Sequence, residues 1–289
     1  MMRNKTVGRL LLAVCGLTLS AAVHAQELAK LPYVPTPQIV VDEMLKMAGV
    51  TANDMVVDLG SGDGRLIITA ARTFKASGLG VDIEPKLVEL ATRNARNEGV
   101  GDRAKFIEQD MFKADISKAS VITLYVLPDF MEKLRPKLLR ELKPGARIVA
   151  HDYYMSEWSA DRFAEFDVPE KKAANGTEKA YIYLWTVPAI VQGDWRMNWN
   201  FGAGKPPVIV LAFNQRYQMI NASAANSDGE LKLANPTLKG DEIDFFLTIG
   251  ANHYRFTGKV QGDRMSGNAV TGASGKPIPW SASKMPPEK

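Results

Sequence analysis

An apolar strand runs into a glycine-rich turn in Val56-Val57-Asp58-Leu59-Gly60-Ser61-Gly62-Asp63-Gly64-Arg65, the stretch that decides the fold of this 289-residue chain. The run from Met55 to Leu59 is interrupted only by Asp58, which is typical of a buried parallel strand. The glycines allow a sharp turn and a close approach of the backbone to a ligand. Apolar residues recur from Arg65 to Phe74 and predict a helix whose N-terminal amides face a bound, nucleotide-like molecule.

The spacing of the glycines distinguishes between nucleotide ligands. A dinucleotide site has Gly-x-Gly-x-x-Gly or Ala, and here the third small residue is replaced by Arg65. The run instead resembles motif I of the class I S-adenosylmethionine (SAM) methyltransferases. That resemblance implies SAM as the cofactor, with contacts from Gly60, Ser61 and Gly62. A lone glycine turn is often only structural, so the interpretation depends on the strands that follow.

Acidic residues end the next two predicted strands. The second strand, Gly78 to Val81, leads into Asp82 and Ile83. A carboxylate at this place can accept hydrogen bonds from both ribose hydroxyls, which makes Asp82 the candidate. The third strand leads into Asp110 and Met111, which look like the adenine site of the same family: a carboxylate for the exocyclic amine and an apolar side chain against the ring.

Asp58 differs from these residues because it lies inside a buried strand. An unpaired buried carboxylate costs several kcal/mol, so we expect Asp58 to accept hydrogen bonds from backbone N–H groups of the glycine loop. It is predicted to support the cofactor site more than to contact the ligand.

The N-terminus predicts a secretory signal peptide. Arg3, Lys5 and Arg9 precede an apolar stretch from Leu10 to Val23, and cleavage is expected near Ala25. The apolar stretch is about 14 residues long, short of the roughly 20 needed for a stable membrane span. We therefore expect an exported, periplasmic protein with no stable membrane span after cleavage; a lipoprotein at Cys15 is the less favoured alternative, because Val14 is bulky for the position before a lipidated cysteine.

Composition excludes several kinds of site in the mature chain. Cleavage would lower the formal charge from +4 to +1 (4 − 3), so a general nucleic-acid surface lacks support. The only cysteine, Cys15, would also be removed, and with it any thiol nucleophile or disulfide. His151 and His253 are too far apart in sequence to suggest a metal site, and none is predicted.

Two folded domains are expected after the signal peptide at residues 1–25. Alternating strand and helix signals over residues 26–190 predict an α/β fold, a doubly wound, seven-stranded Rossmann-like sheet, and Thr36 is a plausible N-cap of its first helix with Pro37 at the first helical position. Seven short strand-like runs over residues 191–289 predict a smaller, antiparallel all-β domain, a barrel or a sandwich. Trp195 and Trp280 are expected to fill its core.

The fourth strand is expected to point at the reactive methyl group, because ligands of open α/β sheets lie at the carboxyl ends of the strands. The fourth ends in Tyr125-Val126-Leu127-Pro128, where amino-methylating enzymes that act on nucleic acids usually carry Asn or Asp followed by Pro-Pro and Tyr or Phe. This departure argues against a nucleic-acid base as the acceptor. Tyr125 could face the sulfonium or an acceptor amine, or only pack. His151 or Asp152 could accept a proton, although a lysine could also lose its proton to water.

Three segments together narrow the resemblance. Leu31-Pro32-Tyr33-Val34-Pro35-Thr36, the glycine loop and Val126-Leu127-Pro128 are similar to the ATP synthase c-subunit lysine methyltransferase family and its archaeal relatives, over about residues 31 to 188. The resemblance implies SAM-dependent methylation of protein lysine side chains, with Tyr33 and Pro35 near the acceptor channel. The second strand departs from the family's Tyr-Glu-Leu-Asn-Pro run, and the β domain has no counterpart.

Two other functions fit the same residues. One is a small-molecule N- or O-methyltransferase, because the size of the acceptor pocket cannot be read from the sequence. The other is an exported, non-catalytic protein that binds a nucleoside or metabolite, with the β domain as an interaction module. The oligomeric state is left open by the sequence.

Overall fold

The computed structural model describes residues 33–199, 208–272 and 275–286. The predicted signal peptide, with its cleavage site near Ala25, and the segment Leu31-Pro32 lie outside these residues. The chain forms two compact units. In the described residues, the first contains 33–137, 149–155 and 162–184, and the second contains 138–148, 156–161 and the residues from 185 onward. The expected domain boundary at 190/191 falls between strands β7 and β8.

Strands and helices alternate through the α/β part of the chain, as the pattern of apolar runs predicts. The strands are β1 (Met55–Leu59), β2 (Ser77–Asp82), β3 (Ala104–Glu108), β4 (Val121–Leu124), β5 (Arg147–His151), β6 (Arg162–Asp167) and β7 (Lys179–Thr186). The helices are α1 (Gln38–Met47), α2 (Arg65–Phe74), α3 (Pro85–Asn97), α4 (Pro128–Glu141) and α5 (Lys171–Asn175).

These seven strands form one sheet in the order β3-β2-β1-β4-β5-β7-β6. Strand β1 pairs in parallel with both β2 and β4, so Asp58 lies between Gly80 and Thr123. The strand order reverses between β1 and β4, and ligands of open α/β sheets bind at such a switch point, beyond the carboxyl ends of the strands. The prediction of a doubly wound, seven-stranded sheet is confirmed.

A core of aliphatic side chains holds the helices to this sheet. Val40, Met44 and Leu45 of α1 are fully buried, and they belong to the same cluster as Val56 of β1 and Ile67 of α2. Burial of a side chain of this size stabilises the fold by about 1.5–3 kcal/mol. Packing of α1 and α2 against one core places the N-terminal segment beside the glycine loop.

The start of α1 differs from the expectation. The helix begins at Gln38 with Pro37 as its N-cap, and no side chain caps it. Pro37 contributes its carbonyl oxygen to the N–H groups of Val40 and Val41. Thr36 is therefore not the N-cap, and its carbonyl oxygen has another partner, described below.

Eight strands form a closed antiparallel barrel in the second part of the chain, which decides between the two expected architectures. They are β8 (Gly193–Trp199), β9 (Ile209–Arg216), β10 (Met219–Asn226), β11 (Gly229–Lys239), β12 (Glu242–Ile249), β13 (Asn252–Gln261), β14 (Arg264–Thr271) and β15 (Ile278–Lys284). Trp195 and Trp280 are buried in its core, as expected, beside Phe245 and Phe256, whose rings stack at 5.1 Å.

The expectation of seven strands missed β11. Asn235 in this strand has φ +50°, Pro236 follows it, and the pairing with β12 shifts between Ala234 and Thr237. An Asn-Pro pair within one run argues against a strand at the level of sequence, but a β-bulge accommodates both the proline and the left-handed Asn235.

Candidate active site

A cavity of about 680 Å³ lies at the switch point of the α/β sheet. Its volume is in the range of small-molecule sites. Its walls come from the N-terminal segment, the glycine loop and the residues that follow β2, β3, β4 and β5. The predicted site residues in its walls are Tyr33, Pro35, Asp58, Gly60, Ser61, Gly62, Asp82, Ile83, Met111 and Tyr125. Asp110, His151 and Asp152 are absent from the wall.

The glycine loop is held by the neighbouring strand. The N–H groups of Gly60 and Ser61 both donate to the carbonyl oxygen of Val81, at 2.8 and 3.0 Å. Gly62 has φ +54°, and a Cβ added there would lie 2.4 Å from the ring of Tyr33. Both the backbone conformation and the space therefore require glycine at position 62.

Asp82 fastens this loop from the end of β2. Its Oδ2 accepts a hydrogen bond from the N–H of Gly62 at 2.8 Å, and its Oδ1 accepts one from the N–H of Glu84 at 3.0 Å. A carboxylate offers about four lone-pair sites, so each oxygen can accept one more donor. Asp82 can therefore order the loop and bind ribose hydroxyls together.

Asp58 does not hold the loop in the way expected. Its Oδ1 accepts a hydrogen bond from the hydroxyl of Thr123 on β4 at 2.6 Å, whereas the loop N–H groups are bonded to Val81 and Asp82. Burial raises the pKa of Asp58 to about 7, against the hydrogen bond from Thr123, which lowers it. The glycine loop is therefore held by Asp82 and by the backbone carbonyl group of Val81, and not by Asp58 as expected.

The turn after β3 places Met111 in the cavity wall and Asp110 outside it. Met111 lies in the cavity wall, where it can pack against an adenine ring. The carboxylate of Asp110 accepts the N–H of Phe112 at 2.9 Å and lies 3.7 Å from the Nζ of Lys113. Adenine recognition by Asp110 stays a prediction.

Arg65 connects the N-terminal segment to the glycine loop. Its Nη1 donates to the carbonyl oxygen of Thr36 at 2.7 Å, and its Nε and Nη2 donate to the carboxylate of Asp63, at 2.6 Å for the shorter bond. Burial alone would raise the pKa of Asp63, but Arg65 lowers it below its usual value. Burial and the charge of Asp63 raise the pKa of Tyr33 to about 12, so the phenol stays neutral. We call residues 33–36, tied down in this way, the strap.

His151 lies behind the cavity and not in its wall. Its ring centroid is 4.1 Å from that of Tyr125, and the side chain is fully buried. Neither ring nitrogen has a hydrogen bond among the described residues, although Nε2 lies 3.3 Å from the Oδ1 of Asp152 without the alignment of a bond. Burial lowers the pKa of His151 to about 4; Asp152 raises it and Lys171 lowers it further.

The carboxylate of Asp152 forms an ion pair with a buried lysine. Lys171 donates to both of its carboxylate oxygens, at 2.5 and 2.7 Å, and is only 2% exposed. The carboxylate is therefore neutralised by an ion pair and lies outside the cavity wall, which leaves proton transfer by Asp152 a prediction without geometric support.

The cavity also includes residues to which the sequence patterns assign no role. They include Asp63, Arg65, Glu84, Lys86, Leu87, Gln109 and Tyr153. Tyr153 was identifiable from its place after the fifth strand, and Glu84 from the acidic end of the second. Nothing in the sequence indicates that Leu87 on α3 lines the cavity.

Comparison with known proteins assigns the chain to a family. Residues 58–162 match the ANTKMT methyltransferase domain. A protein-lysine N-methyltransferase of Saccharolobus islandicus is 40% identical over 154 residues, which are 53% of this chain and 92% of that protein. The chain belongs to the protein-lysine methyltransferase family.

Two further proteins are similar to this methyltransferase, and their names give different acceptors. The human ATP synthase c-subunit lysine N-methyltransferase is 34% identical over 156 residues, 54% of this chain and 66% of that protein. An RNA methyltransferase from Salinibacter ruber, solved with S-adenosyl-L-homocysteine, is 45% identical with a TM-score of 0.50, and the match covers 55% of this chain and 96% of that one. Each match covers about half of this methyltransferase.

SAM is the cofactor of this methyltransferase, and the cavity fits it. The buried hydroxyl of Ser61 has no hydrogen-bond partner among the described residues, although it lies in the cavity wall. A buried polar atom of this kind requires a partner, and a ligand can supply one. The glycine loop, Asp82 and Met111 provide in turn close backbone approach, hydroxyl acceptors and an apolar surface.

Proposed function

We propose that this protein transfers the methyl group of SAM to the ε-amine of lysine side chains in another protein. The observation that carries the proposal is that one cavity joins the cofactor residues Gly60, Ser61 and Asp82 to the aromatic residues Tyr33 and Tyr125. The names of the relatives support lysine as the acceptor.

Tyrosine rings form the acceptor side of this cavity. Tyr33, Tyr125 and Tyr153 all lie in its wall, and the rings of Tyr125 and Tyr153 are nearly parallel with centroids 6.2 Å apart. Aromatic faces attract alkylammonium groups by about 0.5–2 kcal/mol and also pack against methylene groups. A lysine side chain has both parts, so this surface suits it well.

The residues of the chain would act mainly by alignment. When bound, SAM would supply an electrophilic methyl group to the neutral lysine nitrogen: the N–C bond would form as the S–C bond breaks, and S-adenosyl-L-homocysteine would leave. Asp82 and the glycine loop fix one partner, while the strap and Tyr125 fix the other. Such orientation can lower a barrier by about 7–11 kcal/mol at best.

We propose that the ammonium proton passes to water rather than to a side chain. His151 is buried behind Tyr125 with a pKa of about 4, which is far too low to deprotonate an alkylammonium group efficiently. Asp152 is paired with Lys171. Neither side chain lies in the cavity wall, so neither is placed to accept the proton.

The first test uses the purified full-length chain with methyl-labelled SAM and three acceptors: cell-extract protein, RNA and the small-molecule fraction. We expect label in protein, recovered as methyl-lysine after acid hydrolysis. Label confined to RNA, the acceptor class in the name of the Salinibacter ruber protein, or to small molecules would refute the lysine proposal. Calorimetric SAM binding without turnover on any acceptor would favour the non-catalytic alternative.

We further propose that the protein is exported after cleavage near Ala25. The basic start and the short apolar stretch of the sequence support this. Separately, no helix among the described residues is long and apolar enough to cross a membrane. Cell fractionation with N-terminal sequencing tests it. A cytoplasmic chain that retains Met1 would contradict export.

A further inference from the structure

We propose that a cluster of four aromatic residues, two exposed and two half-buried, docks the segment of the protein substrate that flanks the acceptor lysine. The cluster consists of Tyr154, Phe163, Tyr181 and Tyr183, which we call the aromatic platform. This inference rests on the proposed function and adds to it the surface that selects the substrate.

The platform is one continuous aromatic surface. The ring of Tyr183 lies 5.8 Å from that of Tyr154 and 5.1 Å from that of Phe163, and Phe163 stacks on Tyr181 at 6.2 Å. Tyr154 is 60% exposed and Phe163 is 54% exposed. Single exposed apolar residues are common, but a contiguous exposed patch marks an interaction site.

The platform lies at the edge of the sheet. Strand β6 is the last strand in the sheet order, and Phe163 lies directly opposite Tyr183 of β7. Residues alternate along β6, so Ala164 and Phe166 turn from this face and Phe166 packs against the core. The core of the sheet therefore does not account for the aromatic side chains on the opposite face.

Hydrogen bonds join the platform to Asp152, the residue before Tyr153 of the cavity wall. The N–H of Asp152 donates to the carbonyl oxygen of Tyr181 at 2.7 Å, and the N–H of Tyr181 donates to the carboxylate of Asp152 at 3.2 Å. Lys171 fixes that carboxylate from the other side. Tyr153, which lines the cavity, and Tyr154, which belongs to the platform, follow directly in the chain. A protein whose lysine enters the cavity therefore places its neighbouring residues over the platform.

The charges beside the platform favour a basic segment. Glu165 and Asp167 alternate with Phe166 on β6, and both pair with Lys179, at 3.2 and 2.9 Å. Two carboxylates against one ammonium group leave this rim with one negative charge. The occupant is therefore an extended substrate segment with apolar side chains for the rings and a second basic residue near the acceptor lysine.

The experiment compares a long acceptor with a short one. A library of 15-residue peptides with one lysine each supplies the best peptide acceptor, and Nα-acetyl-lysine amide is the acceptor that reaches only the cavity. We expect Phe163→Ser and Tyr154→Ser each to raise the KM for the peptide about tenfold, the effect of removing an interface anchor, with kcat nearly unchanged. The KM for Nα-acetyl-lysine amide and the affinity for SAM should not change.

Phe246→Ser is the matched control, because Phe246 is a strand residue of the barrel with 40% exposure. Thermal unfolding shows whether Phe163→Ser is folded, and Tyr154→Ser changes a residue outside the strands. The proposal would be overturned if the variant that combines Phe163→Ser with Tyr154→Ser kept the peptide KM of the unaltered protein, or if its KM for Nα-acetyl-lysine amide rose by the same factor. The proposal would also be overturned if the unaltered protein formed a dimer, or bound anionic lipid vesicles, and Phe163→Ser abolished that association. Failure of the proposed function is distinguishable from these outcomes, because the unaltered protein would then form no methyl-lysine with either the peptide or Nα-acetyl-lysine amide.

Discussion

The carboxylate of Asp82 accepts the N–H of Gly62 at 2.8 Å, so the end of β2 and the loop after β1 share one hydrogen-bonded group. Glu84 donates its N–H to the other oxygen of the same carboxylate. Because Asp82 also lies in the cavity wall, any ligand that binds it does so through a group that already orders the loop. Cofactor affinity and loop order are therefore coupled at this residue.

Replacement of Asp82 by Ala should weaken SAM binding about 10- to 100-fold. The change removes the acceptor for ribose and frees the N–H of Gly62, and each hydrogen bond to a charged group contributes about 1.5–3 kcal/mol. Isothermal titration calorimetry measures the affinity. Glu89→Ala, an exposed position on α3, is the control. The same dissociation constant in both variants would remove Asp82 from the cofactor site.

Replacement of Asp58 by Asn should change how stability depends on pH. The folded-state pKa of about 7 lies above the ordinary value of 3.8, so this group favours folding below about pH 4 and the contribution is lost as the pH rises to 7. Each pKa unit corresponds to about 1.4 kcal/mol. In urea unfolding from pH 4 to pH 8 without SAM, the Asn variant should gain stability relative to the unaltered protein as the pH rises. If the free energy of unfolding changed with pH in the same way in both proteins, the folded-state pKa of Asp58 would not be raised.

Replacement of His151 by Phe should leave catalysis nearly intact. The phenyl ring keeps the contact with Tyr125, and the loss of kcat should be under about tenfold, whereas loss of a general base costs about 100- to 10,000-fold. The pH profile of kcat should keep its shape.

The stability of the His151→Phe variant provides a second measurement. The depressed pKa of His151 contributes stability that is present above about pH 6.5 and is lost as the pH falls through about 4. The Phe variant should therefore lose less stability than the unaltered protein over that acid range. A large fall in kcat at every pH, with normal folding, would instead support His151 as the base.

Replacement of Arg65 by Ala should release the strap. The variant loses the bond to the carbonyl oxygen of Thr36 and the paired bonds to Asp63, so residues 33–36 should be cleaved at least about tenfold faster in limited proteolysis. Arg65→Lys should not rescue the strap, because an ammonium group cannot reproduce the planar fork. Arg72→Ala on the same helix is the control, since Arg72 is half exposed and pairs with Glu98. Equal cleavage in both variants would show that the core alone holds the strap.

The sequence was sufficient where a local pattern determines structure. The apolar runs predicted the order of strands and helices, and the alternation of the two predicted the doubly wound sheet. The tryptophans of the barrel were correctly assigned to its core because large aromatic side chains have few other stable places. The placement of Asp82 and Met111 in one cavity follows from the same topology, since parallel strands bring their carboxyl ends to one edge.

The sequence was insufficient where a contact joins distant residues. The partner of Asp58 is Thr123, which is beside it only because β1 and β4 are neighbours in the sheet. One partner of Arg65 is the backbone carbonyl group of Thr36, which has no side-chain signature. The burial of Lys171 against Asp152 depends on the packing of a five-residue helix that the apolar pattern does not reveal. The wrong N-cap at Thr36 shows the same limit at the scale of one residue.

The barrel closes between its first and last strands. Seven of its eight pairings join strands that are consecutive in the chain, and the eighth places Trp199 of β8 opposite Trp280 of β15. Until Ile278–Lys284 has been synthesised, the sheet has two open edges and an uncovered aromatic interior, the features that promote aggregation and attract proteases. Pairing of β15 with β8 removes both edges and encloses this interior. The last strand therefore acts on the whole barrel and not only on its own neighbours.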